Sequence, residues 1–143
     1  MPVIKVWCLP KSSEAELNAL HKSLVAAALQ VDELGLKDEN DFTMLFPRDM
    51  MAYGLGQEII VEVTGLFIKP ERDDLVRERL ATYLGLAVKE RFPKAMVECF
   101  INPFALSQGF WTSRGYGDMR FSDVRLLTMA RLNEKKPERN EHV

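Results

Sequence analysis

The residue with the most direct chemical potential is Pro2, which stands between the initiator methionine and the apolar run VIKVWC. Because proline is small, Met1 is expected to be removed, which exposes the proline nitrogen as a free secondary amine. A free α-amino group has a pKa of about 8, and burial or nearby cations lower the pKa of an amine because they disfavour its charged form. An amine whose pKa lies near the working pH can take a proton from a carbon next to a carbonyl group and return it elsewhere. Pro2 is therefore a candidate general base.

The cysteines and histidines do not follow the spacing of metal ligands or of a disulfide framework. Cys8 and Cys99 lie in two separate strand-like runs, and we expect both to be small core residues. His21 lies in a helical stretch and His142 in the charged C-terminal tail, and neither has ligand spacing around it. The sequence predicts a protein without a metal ion and without a cofactor.

Charge and hydropathy exclude several classes of partner. The net charge is −2 and the basic residues are interspersed with acidic ones, whereas nucleic-acid backbones are held by clustered Lys and Arg. No apolar run approaches the roughly 18–20 residues that cross a bilayer, and the charged KSSEAE segment follows the first apolar run too closely for a secretory signal. We therefore expect a cytoplasmic protein that binds neither nucleic acid nor a membrane.

The chain divides into two similar halves, residues 2–47 and 58–103, each with the order strand, helix, strand. The β-branched and alternating runs predict strands at residues 3–9, 41–46, 58–68 and 95–101. Apolar residues at helical spacing predict helices at residues 12–31 and 69–92.

Local signals define the ends of these helices. Ser13 followed by Glu16 is a capping box that predicts the start of the first helix. Pro70 is expected at or near the first turn of the second helix, with acidic residues behind it where the helix dipole favours them. Pro93 is expected to end that helix.

The two halves keep a constant offset. Three pairs of similar positions are each 56 residues apart: Ile4 and Ile60, Met44 and Phe100, and Pro47 and Pro103. Two β-α-β units of this kind form a four-stranded sheet with both helices on one face, an α+β architecture. The other sheet face is half-apolar and must be covered, and we expect oligomer formation to cover it.

Two segments lie outside the repeats. The segment PRDMMAYGLGQE joins the halves and fits either a hairpin packed on the core or the wall of a pocket. The segment FALSQGFWTSRGYGDMRF is rich in aromatic residues and glycine, which favours an arm that packs on a neighbouring subunit. We expect one domain over residues 1–112, followed by an arm and a charged, flexible tail over residues 113–143.

Three stretches of the chain resemble the tautomerase superfamily. They are Met1-Pro2 leading directly into a strand, LFPRDMMAYGLG at residues 45–56, and CFIN at residues 99–102. With the doubled β-α-β order, the resemblance covers roughly residues 2–112. It implies a homotrimer of β-α-β-β-α-β protomers with active sites between subunits, and it assigns the catalytic role to the nitrogen of Pro2.

The resemblance also implies a set of substrate-binding residues. Asn102 falls at a pocket asparagine of the family, Phe100 at a pocket tyrosine whose hydroxyl is absent here, and Tyr53 at a pocket aromatic. The cation that binds the substrate carboxylate is not fixed, because Phe42 stands where some members have an arginine. Lys37 and Arg48 are the candidates, and Arg48 is slightly favoured because a guanidinium binds a carboxylate through two hydrogen bonds.

These expectations leave two functions open. The first is a cofactor-independent tautomerase or isomerase that moves a proton on a small 2-oxo or 2-hydroxy unsaturated acid. The second is a non-catalytic trimer of the same fold with a binding or regulatory role, which Phe42, Phe100 and the long C-terminal extension favour. A third possibility, an RNA-recognition domain, has little support because EIIVEVTGLF lacks the basic, aromatic-rich signature of such domains.

Overall fold

The computed structural model describes residues 1–48 and 57–108. Tyr53 and the segment predicted as an arm and tail, residues 113–143, lie outside the described residues. The strands are β1 (Val3–Trp7), β2 (Thr43–Leu45), β3 (Glu58–Phe67) and β4 (Met96–Phe104). The helices are α1 (Glu14–Leu29) and α2 (Asp74–Arg91), and short 3-10 turns cover Asp32–Leu34, Glu39–Asp41 and Leu106–Gln108.

The four strands form one mixed sheet with the order β2-β1-β3-β4. Each half contributes a parallel pair, because β1 runs parallel to β2 and β3 runs parallel to β4. The two halves join where β1 and β3 pair antiparallel, with Val3 opposite Thr64 and Trp7 opposite Ile60. The predicted duplicated β-α-β fold is confirmed.

The helix ends show which local signals dominate. The capping box of α1 is present, since the Ser13 side chain accepts from the Glu16 backbone and the Glu16 side chain accepts from the Ser13 backbone. The expected place of Pro70 is wrong, because α2 begins at Asp74. Asp73 caps this helix, because its carboxylate accepts a 2.9 Å hydrogen bond from the Val76 backbone N–H. Pro70 has no side-chain oxygen that could accept such a bond.

The core lies between the helices and one face of the sheet. Alternate residues of the central strands are buried, such as Ile4 and Val6 in β1 and Val61 and Val63 in β3. The helices contribute a complementary apolar stripe, made of Leu20, Leu24, Val76, Leu80 and Leu84. This period-two burial of the strands is what an α+β layer produces when only one sheet face is covered by helices.

The opposite face of the sheet is open in the single chain and carries large apolar side chains. Among its residues Phe100 is 50% exposed and Met96 is 63% exposed. The middle of this face is polar, since Glu62 accepts a 3.2 Å hydrogen bond from the Trp7 indole N–H and lies 3.7 Å from the Lys5 ammonium. The open face therefore combines exposed apolar side chains with a charged pair at its middle. Across residues 1–48 and 57–108, neither helix is long and apolar enough to cross a bilayer.

Cys99 on β4 provides a test of core packing. Its side chain packs against the core, and burial raises the pKa of its thiol from 9.0 to about 12. Only the thiolate reacts with alkylating reagents, so at pH 8 we expect alkylation about a thousandfold slower in folded than in urea-unfolded protein. The measurement is the iodoacetamide rate in the Cys8→Ser variant, where Cys99 is the remaining thiol. Equal rates in the two states would show that Cys99 is not buried.

Candidate active site

Pro2 lies at the start of β1, beside the first residue of β2. Its ring is buried, whereas Met1 is 62% exposed. The Thr43 backbone N–H donates a 3.0 Å hydrogen bond to the Pro2 carbonyl oxygen, which extends the β1–β2 pairing by one residue. The position of Pro2 is therefore fixed by backbone pairing on one side and by burial of its ring, while Met1, which precedes it, is mostly exposed.

An irregularity in β3 faces this N-terminus. The β3–β4 pairing is continuous up to Val63 opposite Ile101 and resumes at Leu66 opposite Pro103, so β3 has one extra residue. Gly65 lies in this bulge with a φ of +73°, a conformation that strongly favours glycine. The backbone of Gly65 comes close to Met1 and Pro2. A glycine inside a β-branched run is the signal in the sequence that indicates such a bulge.

Asn102 and Phe100 lie on β4, on the open face of the sheet. Asn102 is exposed and lies between the pairs Ile101–Val63 and Pro103–Leu66, directly across from the bulge. Adjacent strands are about 4.8 Å apart, so the backbone of Asn102 lies two strand spacings, roughly 10 Å, from β1 and Pro2. Phe100 lies two residues further from this end, opposite Glu62.

The two candidate cations lie at opposite ends of the sheet. Lys37 lies in the loop ahead of β2, where its backbone N–H donates a 2.7 Å hydrogen bond to the Asp41 carboxylate, and β2 then begins beside Pro2. Arg48 follows the other end of β2. Because β1 and β2 are parallel, Arg48 lies near the C-terminal end of β1, away from Pro2. Within one chain, Pro2, Asn102 and the loop that carries Lys37 therefore lie at one end of the sheet, and Arg48 lies at the other.

Arg48 instead lines a cavity of about 330 Å³. A second cation, Lys11, lines the same cavity, together with apolar residues that include Leu9, Leu17 and Phe46. Lys11 is not predictable as a site residue from the sequence, because a single lysine between a strand and a helix carries no motif. In one chain the cavity opens at the end of the sheet opposite Pro2.

The similarity of this chain to known proteins lies in its structure. The sequence matches no protein-family model and no curated protein. Solved structures do match. A fused 4-OT described as a symmetric trimer superposes with a TM-score of 0.52 at 16% identity, covering 72% of this chain and 85% of that chain. Macrophage migration inhibitory factor from Toxoplasma gondii superposes with a TM-score of 0.53 at 14% identity, covering 76% of this chain and 95% of that chain. Malonate semialdehyde decarboxylase superposes with a TM-score of 0.51 at 14% identity, covering 76% of this chain and 89% of that chain.

This chain has the tautomerase fold. At these identities the likeness is one of architecture, and it agrees with the strand order and the doubled β-α-β units described above. The predicted fold is thereby confirmed. In this tautomerase fold Phe42 is 8% exposed and packs in the core, so the position where the resemblance implied a possible arginine is a structural one here.

The tautomerase fold also brings together an aromatic pair that the sequence analysis did not predict. The rings of Phe67 and Phe104 meet edge to face with centroids 5.2 Å apart. They lie opposite each other at the C-terminal ends of β3 and β4, the end of the sheet at which β1 begins. Phe104 was assigned to the aromatic-rich segment after the last strand, and β4 in fact continues through it. The pair supplies an apolar surface next to the end that holds Pro2.

Proposed function

We propose that this protein is a cofactor-independent tautomerase or isomerase whose general base is the amine of Pro2, exposed by removal of Met1. The observation that carries the proposal is the burial of the Pro2 ring beside an exposed Met1, at a sheet end that also holds Lys37, Asn102 and two phenylalanines. Because the Pro2 ring is buried, we propose that the nitrogen stays partly dehydrated when Met1 is removed. Dehydration disfavours the protonated amine and lowers its pKa toward neutrality.

The proposed reaction is a proton transfer on a small 2-oxo or 2-hydroxy unsaturated acid. The unprotonated Pro2 nitrogen takes a proton from the enol hydroxyl or from the carbon next to the carbonyl, and the resulting prolinium returns it to the other position. The Asn102 side-chain amide can donate a hydrogen bond to the oxygen on which negative charge develops. A cation holds the substrate carboxylate. Atoms and charges balance without any further reagent.

We further propose that the chain works as a homotrimer. The support is the open sheet face, which exposes Trp7, Phe100 and Met96 in the single chain. One of the matched structures, the fused 4-OT, is described as a symmetric trimer. In a trimer, Arg48 and the adjoining cavity can serve a Pro2 of another subunit, so both cations stay in the proposal.

The test of the proposed function is a ketonisation assay. Purified protein that lacks Met1 is mixed with phenylenolpyruvate or 2-hydroxymuconate, and loss of the enol absorbance is followed against buffer of the same ionic composition. We expect a rate that increases linearly with protein concentration. The same rate with and without protein, across both substrates and a panel of related enol acids, would overturn the proposal.

The alternative is a non-catalytic trimer with a binding or regulatory role. Two observations favour it: Phe42 is a core residue, and Phe100 has no hydroxyl to donate to a substrate. This alternative predicts no turnover together with a Pro2 amine of ordinary pKa. The enzyme proposal predicts turnover and a lowered pKa, so one titration and one assay distinguish them.

The choice of cation gives a separate prediction. Lys37 lies in the loop at the same end of the sheet as Pro2, and a charge-assisted hydrogen bond contributes about 1.5–3 kcal/mol. We therefore expect Lys37→Gln to raise KM for a carboxylate substrate about tenfold or more, with a smaller change in kcat. Arg48→Gln is the matched variant, and its KM should stay within about threefold of the wild-type value. The reverse order would indicate that the carboxylate is bound by the subunit that contributes Arg48.

A further inference from the structure

The bulge in β3 places a glycine where a side chain would collide with Met1. An ideal Cβ built on Gly65 lies 2.7 Å from the Met1 carbonyl oxygen, closer than real Cβ contacts. The same Cβ lies 3.5 Å from the Pro2 Cα and 3.5 Å from the Val3 backbone nitrogen, which are ordinary van der Waals distances. A Cβ at position 65 would therefore collide only with Met1, the residue that is proposed to be removed. Its contacts with Pro2 and Val3, which remain, would be ordinary.

The Met1 carbonyl group occupies the space between Gly65 and the Pro2 nitrogen. Its carbon is bonded to the Pro2 nitrogen, so its oxygen lies two bonds from the atom proposed as the base. When Met1 is removed, this volume becomes the space next to the nitrogen, and any substrate atom that exchanges a proton with the nitrogen has to enter the surroundings of that atom. Gly65 borders the space without a side chain.

The geometry points to Gly65 as the residue that determines how large a group can reach the Pro2 nitrogen. This inference rests on the proposed function and deepens it. A volume that holds a peptide carbonyl fits the planar carbonyl or enol end of a small 2-oxo acid. A methyl group at position 65 narrows that volume, and the site then discriminates against larger groups at the reacting carbon.

A second glycine separates this steric role from a purely conformational one. Gly35 has a φ of +66°, close to that of Gly65, but a Cβ at Gly35 meets nothing within 4 Å. Alanine at either position carries the strain of a left-handed backbone conformation. Only at position 65 does it also occupy space beside Pro2. Gly35→Ala is therefore the matched control for Gly65→Ala.

The experiment measures how fast the Pro2 nitrogen reacts with two aldehydes of different size. Protein lacking Met1 is treated with cyanoborohydride and either formaldehyde or benzaldehyde, and N-terminal alkylation is quantified by mass spectrometry of the N-terminal peptide. The chemistry is the same for both reagents, so the ratio of the benzaldehyde rate to the formaldehyde rate reports the space at the nitrogen. Because the ratio compares two reagents on one protein, a change in the amine pKa cancels.

We expect Gly65→Ala to lower this ratio at least tenfold and Gly35→Ala to leave it within twofold of wild type. If Gly65→Ala does not fold, Gly65→Asn is used, since asparagine tolerates the left-handed conformation better and brings a larger side chain. A ratio within twofold of wild type in a folded Gly65 variant overturns the inference. The alkylation needs no turnover, so this outcome can be told apart from a failure of the proposed function in the ketonisation assay.

Discussion

Replacing Pro2 by alanine is expected to lower kcat/KM for ketonisation by at least about 10²-fold, within the 10²–10⁴-fold range that a positioned general base contributes. Alanine also loses Met1 and keeps an N-terminal amine. However, it lacks the ring that is buried at the start of β1 and that holds the nitrogen in one orientation. The base is then both displaced and differently solvated. The measurement is the initial rate of enol loss at several substrate concentrations.

The control for this variant is Pro70→Ala, at an exposed proline ahead of α2. It should keep wild-type kinetics, and the thermal midpoint of Pro2→Ala should stay close to that of wild type at the same protein concentration. A Pro2→Ala protein that retains kcat/KM within about threefold of wild type would show that another group is the base. The tautomerase fold would stand, and the proposed mechanism would not.

The largest expected effect on stability is that of Leu84→Ala. Leu84 is 0% exposed in the middle of α2 and packs in the core between helices and sheet. Truncation of a fully buried leucine removes its transfer free energy and leaves a cavity, at a cost of about 2–5 kcal/mol in the free energy of unfolding. We expect a value of about 3 kcal/mol, measured by urea unfolding at fixed protein concentration because assembly also stabilises the folded state.

Leu86→Ala is the matched variant for Leu84→Ala. It removes the same atoms from the same helix, but Leu86 is 55% exposed. Its free energy of unfolding should change by only about 0.5 kcal/mol. If the two variants lose equal stability, the face of α2 that packs on the sheet is not the one described here.

Much of the fold can be predicted from the sequence because its signals are local. The 56-residue offset predicts two equivalent β-α-β units, and the structure has them in the order expected. Ser13 and Glu16 predict the start of α1 because a capping box depends only on residues three apart. Pro93 predicts the end of α2 within two residues, because the effect of a proline on a helix is also local.

The errors arise where two local signals compete or where an element ends through contacts distant in sequence. Pro70 and Asp73 are both acceptable near a helix start, and the capping side chain prevails. The second strand was expected over residues 41–46, yet β2 is limited to Thr43–Leu45 because a 3-10 turn extends through Asp41. The last strand was expected to end at residue 101, yet β4 continues to Phe104 by pairing with the last residues of β3.

The candidate site is harder to predict than the fold. The directions of the paired strands decide which residues share an end of the sheet. Lys37 precedes β2 and Arg48 follows it, so the two residues lie at opposite ends of the sheet. The closeness of Gly65 to the N-terminus depends on one extra residue in β3, which shifts the register opposite Asn102. A site that is proposed to form between subunits also takes groups from another chain, and the order of residues in one chain cannot indicate which groups meet.

The most direct test of the central claim is the pH dependence of N-terminal labelling by 3-bromopropiolate, read by intact and peptide mass spectrometry. We expect a chain without Met1, a single adduct at Pro2 and a labelling rate whose inflection lies near neutral pH, well below the inflection in urea-unfolded protein. A chain that retains Met1, or a Pro2 amine that reacts with the same inflection in folded and unfolded protein, would contradict it.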